Sequence, residues 1–218
     1  MSGARDKVLN RVRQSLERGP LDVETRTRLD ERLGTPPAHS RIGFVEDSVE
    51  RFVAKAQTQA ATVTRVASAD DIPNAVADYL KSHNLAARFA AAPALQSMSW
   101  PDHLEVEFGT TRGEHESAVT PCAAAVAETG SLVMLSGPQT PTTLNLLPDN
   151  HIVIVNRSQV LRNFEDVWQQ LRESDATLPR AVNLITGPSR TADIEQTMQL
   201  GAHGPRRVHI ILVDEAEP

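Results

Sequence analysis

Two stretches of this 218-residue chain gather side chains that can do chemistry. The longer is Val182–Gly204, which reads V-N-L-I-T-G-P-S-R-T-A-D-I-E-Q-T-M-Q-L-G-A-H-G. Its apolar run, Val182 to Ile185, hands over to a turn, Thr186-Gly187-Pro188-Ser189-Arg190. Beyond the turn, Ile194 and Met198 can share one buried stripe, which predicts a helix. Gly201 ends that helix as a C′ glycine, with Pro205 shortly after. A strand-to-helix turn aims unsatisfied backbone N–H groups at one point, and the helix dipole makes that point favourable for an anion. Arg190 adds a planar, permanently charged fork. The candidate anion-binding residues are therefore Gly187, Ser189, Arg190, Thr191 and Asp193, with His203 and Gly204 just past the helix end. A purely structural reading stands beside this one: Ser189 or Thr191 caps the helix, Asp193 complements its dipole, and Arg190 is solvated.

The second stretch is Ala123–Gly137, A-A-A-V-A-E-T-G-S-L-V-M-L-S-G. Small residues precede Glu128 and let backbone or ligand come close. Glu128-Thr129-Gly130 then turns into an apolar strand. A carboxylate at such a turn can be a nucleophile, a base or a hydrogen-bond acceptor. It can equally cap the turn or pair with an arginine such as Arg190. Glu128 is the candidate catalytic residue, with Thr129 and Gly130 as its neighbours at the ligand. His151 opens a buried strand, at the end of a parallel sheet where ligands are seldom bound. His39, His83, His103 and His115 show no metal-ligand spacing, so no metal site is expected. His209 falls inside the last strand and reads as structural. Cys122 has no positive partner nearby in sequence and reads as a buried, inert thiol.

Composition removes several function classes. Lys plus Arg is 22 and Asp plus Glu is 28, a net charge of -6, which argues against a general nucleic-acid binder. A single cysteine makes no internal disulfide, multi-thiolate zinc site or four-cysteine iron–sulfur cluster. There is no long uncharged apolar run to span a membrane, and the N-terminus lacks the apolar core of a signal peptide. A cytoplasmic protein is expected.

The elements that must position these residues alternate in type. Helices are predicted at Ala4–Arg18, Val49–Ala60, from Ser68 through Leu80, and at Phe164–Leu171, with a short one near Glu24–Leu33. Strands are predicted at Thr62–Val66, Arg88–Ala92, Leu104–Phe108, Leu132–Leu135, Ile152–Val155, Val182–Ile185 and Val208–Val213. Gly109–Ser117 reads as a charged loop. Alternating strands and helices imply an α/β domain with a mainly parallel sheet flanked by helices. Residues 1–45 read as a helical extension and linker, and residues 46–218 as the α/β domain.

Three motifs carry a resemblance. A-E-T-G-S-L-V at Ala127–Val133, L-P-D-N-H-I-V-I-V at Leu147–Val155 and G-P-S-R-T-A-D-I-E at Gly187–Glu195, the last running on through L-G-A-H-G-P-R at Leu200–Arg206, resemble the lactate-utilisation protein C family (LutC/YkgG), whose core is the LUD domain. The resemblance implies a fold like that of the ribose-phosphate isomerase, glucosamine-phosphate deaminase and CoA-transferase group. It also implies a part in oxidising L-lactate to pyruvate, beside iron–sulfur partner proteins, with no cofactor in this chain. CoA transferases of the related fold use a glutamate followed closely by glycine, a form that Glu128-Thr129-Gly130 is similar to. Relatives often carry an acidic residue shortly before A-E-T-G, where this chain has Ala123, Ala124 and Ala125. Two classes stay open: a cluster-free accessory subunit of a lactate-oxidising system, and an enzyme acting on a small anionic or CoA-linked substrate through Glu128.

Overall fold

A computed structural model describes residues 3–17, 19–34, 42–174, 179–192, 198–201 and 203–214. They fall into two units, Met1–Arg41 and Ile42–Pro218. The first holds helices α1 (Ala4–Ser15) and α2 (Val23–Gly34). Neither buries a residue; Val8, Val12, Leu16 and Leu33 all stand exposed.

The second unit begins with α3 (Ser48–Thr58), β1 (Thr62–Val66), α4 (Ile72–Ser82), β2 (Arg88–Ala91), β3 (Glu105–Phe108) and β4 (Ser117–Pro121). It continues with β5 (Ala124–Val126), β6 (Ser131–Leu135), α5 (Thr143–Leu146), β7 (Asn150–Asn156), β8 (Val160–Leu161) and α6 (Phe164–Glu173). It closes with β9 (Val182–Ile185), β10 (Arg190–Ala192), β11 (Met198–Leu200) and β12 (Arg207–Val213). Six strands pair in the order β1-β12-β7-β4-β2-β3, every neighbour parallel. A second sheet has the order β8-β5-β6-β9, with β5–β6 and β6–β9 antiparallel.

The layering follows from side-chain alternation along the strands. In β7, Ile152 and Ile154 face Ile72, Val76, Tyr79 and Leu80 of α4, while Val153 and Val155 face α3 and the second sheet. Both faces are buried, which is why the strand reads as an unbroken apolar run. On the α3 side, Phe52 and Ala56 pack with Ala125, Ala127, Leu132 and Met134. The opposite face of the second sheet carries Ala124, Val126 and Val133, covered by Val167 and Phe164 of α6. Asp47 starts α3 by accepting from the N–H groups of Val49 and Glu50.

The chain passes between the two sheets in one step. The Cys122 amide donates to the Ile154 carbonyl at 3.1 Å, within the large sheet, and the next amide, Ala123, donates to Val133 at 2.9 Å, within the small one.

One expectation is overturned here. The described ends of the predicted helix are strands: Arg190–Ala192 and Met198–Leu200 pair antiparallel, Arg190 opposite Leu200 and Ala192 opposite Met198, while residues 193–197, Ile194 among them, lie outside the described residues. Two apolar residues at helical spacing are a thin signal, and the local pairing outweighs it. Gly201 is accordingly no helix cap. Its φ of +84° carries the chain away from the hairpin, and a Cβ there would run into Arg206. The predicted loop Gly109–Ser117 ends in β4, whose residues Ser117 to Thr120 are buried.

Candidate functional site

The β6–β9 ladder sets Leu132 opposite Ile185 and so brings the two sequence motifs together at their turns. Ser131 Oγ lies 2.7 Å from Thr129 Oγ1 and 2.7 Å from Thr186 Oγ1, a chain of three hydroxyls joining one motif to the other. Ser131 is buried. Gly130 (φ +73°) and Gly187 (φ +79°) both adopt backbone conformations that L side chains rarely do. A Cβ on Gly130 would overlap the Ala56 amide, and one on Gly187 the Gln59 carbonyl oxygen. The C-terminal end of α3 therefore occupies the close approach that these glycines permit. That end presents carbonyl oxygens, the negative pole of a helix, so it does not favour an anion.

Glu128 sits one turn away with different duties. Its Oε2 accepts from Asn163 Nδ2 at 2.7 Å, and its Oε1 from the Phe164 amide at 3.3 Å. Asn163 is the N-cap of α6 and is buried, and Asp166 Oδ2 accepts from the Asn163 amide at 2.9 Å. Glu128 thus puts a negative charge and an acceptor at the positive end of α6. Its carboxylate oxygens are engaged by Asn163 and Phe164 rather than by Arg190.

The remaining candidates lie at the base of the β10–β11 hairpin. The Ser189 amide donates to the Pro205 carbonyl at 2.8 Å, and the Gly201 amide to Ser189 at 3.1 Å. Gly204 lies against Ser189, where an added Cβ would be 3.4 Å from Ser189 Cβ. Arg190 and His203 are exposed. Thr191 belongs to β10, paired with Gln199. Asp193 lies outside the described residues. The anion cradle argued for this turn loses the helix N-terminus on which it rested. What stays is an exposed guanidinium and an exposed imidazole on the 189–204 segment.

Sequence reasoning missed a buried polar pair beside this region. His151 Nε2 is 2.7 Å from Thr120 Oγ1, both residues buried, and burial pushes the His151 pKa down to about 3. Its Nδ1 has no partner among the described residues. The pairing of β4 with β7 creates this contact, and no predicted strand covers Ser117–Pro121 to signal it. His209 is structural: Nδ1 lies 2.8 Å from Thr62 Oγ1, the ring stacks on Tyr79 at 4.1 Å, and burial pushes its pKa down to about 4. Cys122 is buried, with its thiol pushed up to about 12 by the lack of water. Among the described residues no helix is long and apolar enough to cross a membrane.

The chain is 38% identical over 100 residues to a lactate utilization protein C of Exiguobacterium, which is 44% of this chain and 44% of that protein. It is 34% identical over 118 residues to a lactate utilization protein C of Halalkalibacterium halodurans, covering 52% of this chain and 51% of the relative. An uncharacterized protein of Neisseria meningitidis is 39% identical over 95 residues, 43% and 41% of the two lengths. The matched stretch is thus about half the length of each of these curated relatives. The crystal structure of a DUF162 family protein from Deinococcus radiodurans superposes with a TM-score of 0.56 at 22% identity, over 77% of this chain and 96% of that one, and so shares the fold. The LUD domain itself matches residues 49–213, from the first turn of α3 to the last residue of β12, and the chain belongs to the LUD-domain family.

Proposed function

We propose that this chain takes part in lactate utilisation as a cluster-free component that works beside iron–sulfur proteins. The similarity to lactate utilization proteins C supports the process. The observation that carries the accessory role is Cys122. It is the one thiol in the sequence, is 5% exposed, and its pKa is raised to about 12, so it offers no thiolate for an iron–sulfur cluster. Oxidation of L-lactate to pyruvate releases two electrons and two protons, and the electrons need an acceptor that such a chain's thiols do not provide.

The engagement of Glu128 at the start of α6 supports a structural task for that carboxylate and weighs against a glutamyl intermediate on a CoA-linked substrate. A small anion remains the ligand class that the exposed Arg190, with Ser189, Thr191 and His203 on the same segment, would accept in two-point fashion. Deletion of the gene tests the process: growth on L-lactate falls while growth on pyruvate is unchanged. Equal growth on both, in a strain without a second lactate route, refutes it. Affinity capture from lactate-grown cells tests the partnership, with iron and acid-labile sulfide expected in the co-purified proteins and absent from this chain.

A further inference from the structure

The six-stranded sheet ends in two edges of different character. At one edge, β3 exposes Glu105 and Glu107, charges that discourage pairing with another strand. At the other, β1 reads Thr62-Val63-Thr64-Arg65-Val66, four β-branched residues with no proline, no bulge and one charge. That charge is already compensated: the Arg65 guanidinium donates to Asp214 at 2.8 and 2.9 Å and to Glu50 at 2.7 Å. Thr62 and Thr64 are exposed.

The backbone of β1 fixes which groups are free. The Val66 carbonyl accepts from the Asp214 amide at 2.9 Å and so points toward β12. Successive residues of a strand direct their N–H and C=O groups to alternate sides. Thr64 and Thr62 therefore also bond toward β12, and Val63 and Arg65 turn theirs outward. Among the described residues, neither makes a backbone hydrogen bond on that side.

We infer that this edge pairs with β1 of a second copy, antiparallel about a two-fold axis through Thr64. With the axis there, Val63 stands opposite Arg65 of the second copy and Arg65 opposite its Val63. Those are the hydrogen-bonded pairs an antiparallel ladder requires, and they use the outward groups on both chains. Thr64 meets Thr64 in the close, non-hydrogen-bonded position, a favourable threonine pair. An axis through Arg65 would oppose two arginines, and one through Val63 would carry the pairing past the strand's start. The axis is perpendicular to the sheet, so each face of β1 continues as the same face of its copy. Space exists on the α4 side: a groove of about 560 Å³ runs beside β1, lined by Thr62, Thr64, Val66, Asp78 and Tyr79. Asp71 and Asp78 in that groove oppose a like-charged neighbour, a repulsion that salt screens over about 8 Å at physiological ionic strength.

The test uses the full chain. Analytical ultracentrifugation over the micromolar range shows a monomer–dimer equilibrium. Thr64→Cys forms a disulfide-linked dimer under mild oxidation far faster than Thr62→Cys, whose opposite number is Val66; buried Cys122 leaves the background low. Thr64→Lys sets two like charges face to face at an exposed position and weakens the dimer roughly three- to tenfold, with unchanged melting of the monomer. A chain that stays monomeric at high micromolar concentration overturns the inference. So does equal crosslinking at positions 62 and 64, or a dimer that Thr64→Lys leaves intact.

Discussion

Replacing Glu128 by alanine separates a helix anchor from a reactive group. The substitution removes a charge-assisted hydrogen bond of 2.7 Å from Asn163 Nδ2 in a place where Asn163 is 1% exposed. Such a bond contributes about 1.5–3 kcal/mol. It also removes the acceptor for the Phe164 amide and the negative charge at the α6 N-terminus, together about 0.5–1 kcal/mol. The expected loss is about 2–4 kcal/mol, or a fall in Tm of roughly 4–16 °C for a chain of this size. Glu128→Gln has one carbonyl oxygen for two donors and turns its own NH₂ toward one of them, so about half the loss is expected. Urea denaturation followed by tryptophan fluorescence is the assay, since Trp168 lies on α6. Hydrogen exchange of the first α6 amides adds a local readout, with protection lost there first. A change below about 0.5 kcal/mol in both variants would refute the anchor, and lost turnover with intact stability would make Glu128 a reacting group.

Other consequences are as direct. His151 and His209 stay neutral when folded, with pKa values of about 3 and about 4, and take protons near 6.5 when unfolded. The unfolded chain then binds more protons between these values, so stability drops as pH falls through about 6.5. The loss is about 2 kcal/mol per histidine at about pH 5, and a flat urea midpoint over that interval contradicts it. Gly130→Ala pushes a methyl into α3 backbone and Gly187→Ala one into the Gln59 carbonyl that caps α3, both at positive φ, and each should cost more than about 3 kcal/mol or prevent folding; a normal melting curve for either would show that the end of α3 can withdraw. Cys122 should resist thiol reagents in the native protein and react fully in denaturant, and rapid native labelling would show that its burial is transient.

The central sheet was legible because Ile152–Val155 and Val208–Val213 are buried on both faces and leave continuous apolar runs. The flanking α3, α4 and α6 were legible through their 3.6-residue stripes. Of the second sheet, β6 and β9 were legible as the apolar runs Leu132–Leu135 and Val182–Ile185, while β5 and β8 were hidden. Ala124–Val126 has weak strand propensity and is small because it is pressed between α6 on one side and the α3 layer on the other. The hairpin after Arg190 was hidden because its pairing partner lies beyond residues whose pattern alone favours a helix. As for the site, the adjacency of the two glycine turns follows from the β6–β9 ladder, a contact 55 residues apart for Ser131 and Thr186. The sequence points to capping or to an arginine such as Arg190 as the task of Glu128, and Asn163 stays hidden because it carries no charge to advertise the contact.

The step at Cys122–Ala123 has a consequence for how the molecule comes apart. Two consecutive amides belong to different sheets, so neither sheet can lose its pairing without pulling on the other. The layers of the Ile42–Pro218 unit are stitched rather than stacked, and partial unfolding should find no seam between them. Heating should melt both in one calorimetric transition, with the van't Hoff and calorimetric enthalpies of that unit in agreement. The same stitch makes assembly slow, because β4 and β5 are settled only when strands far apart in the chain have met.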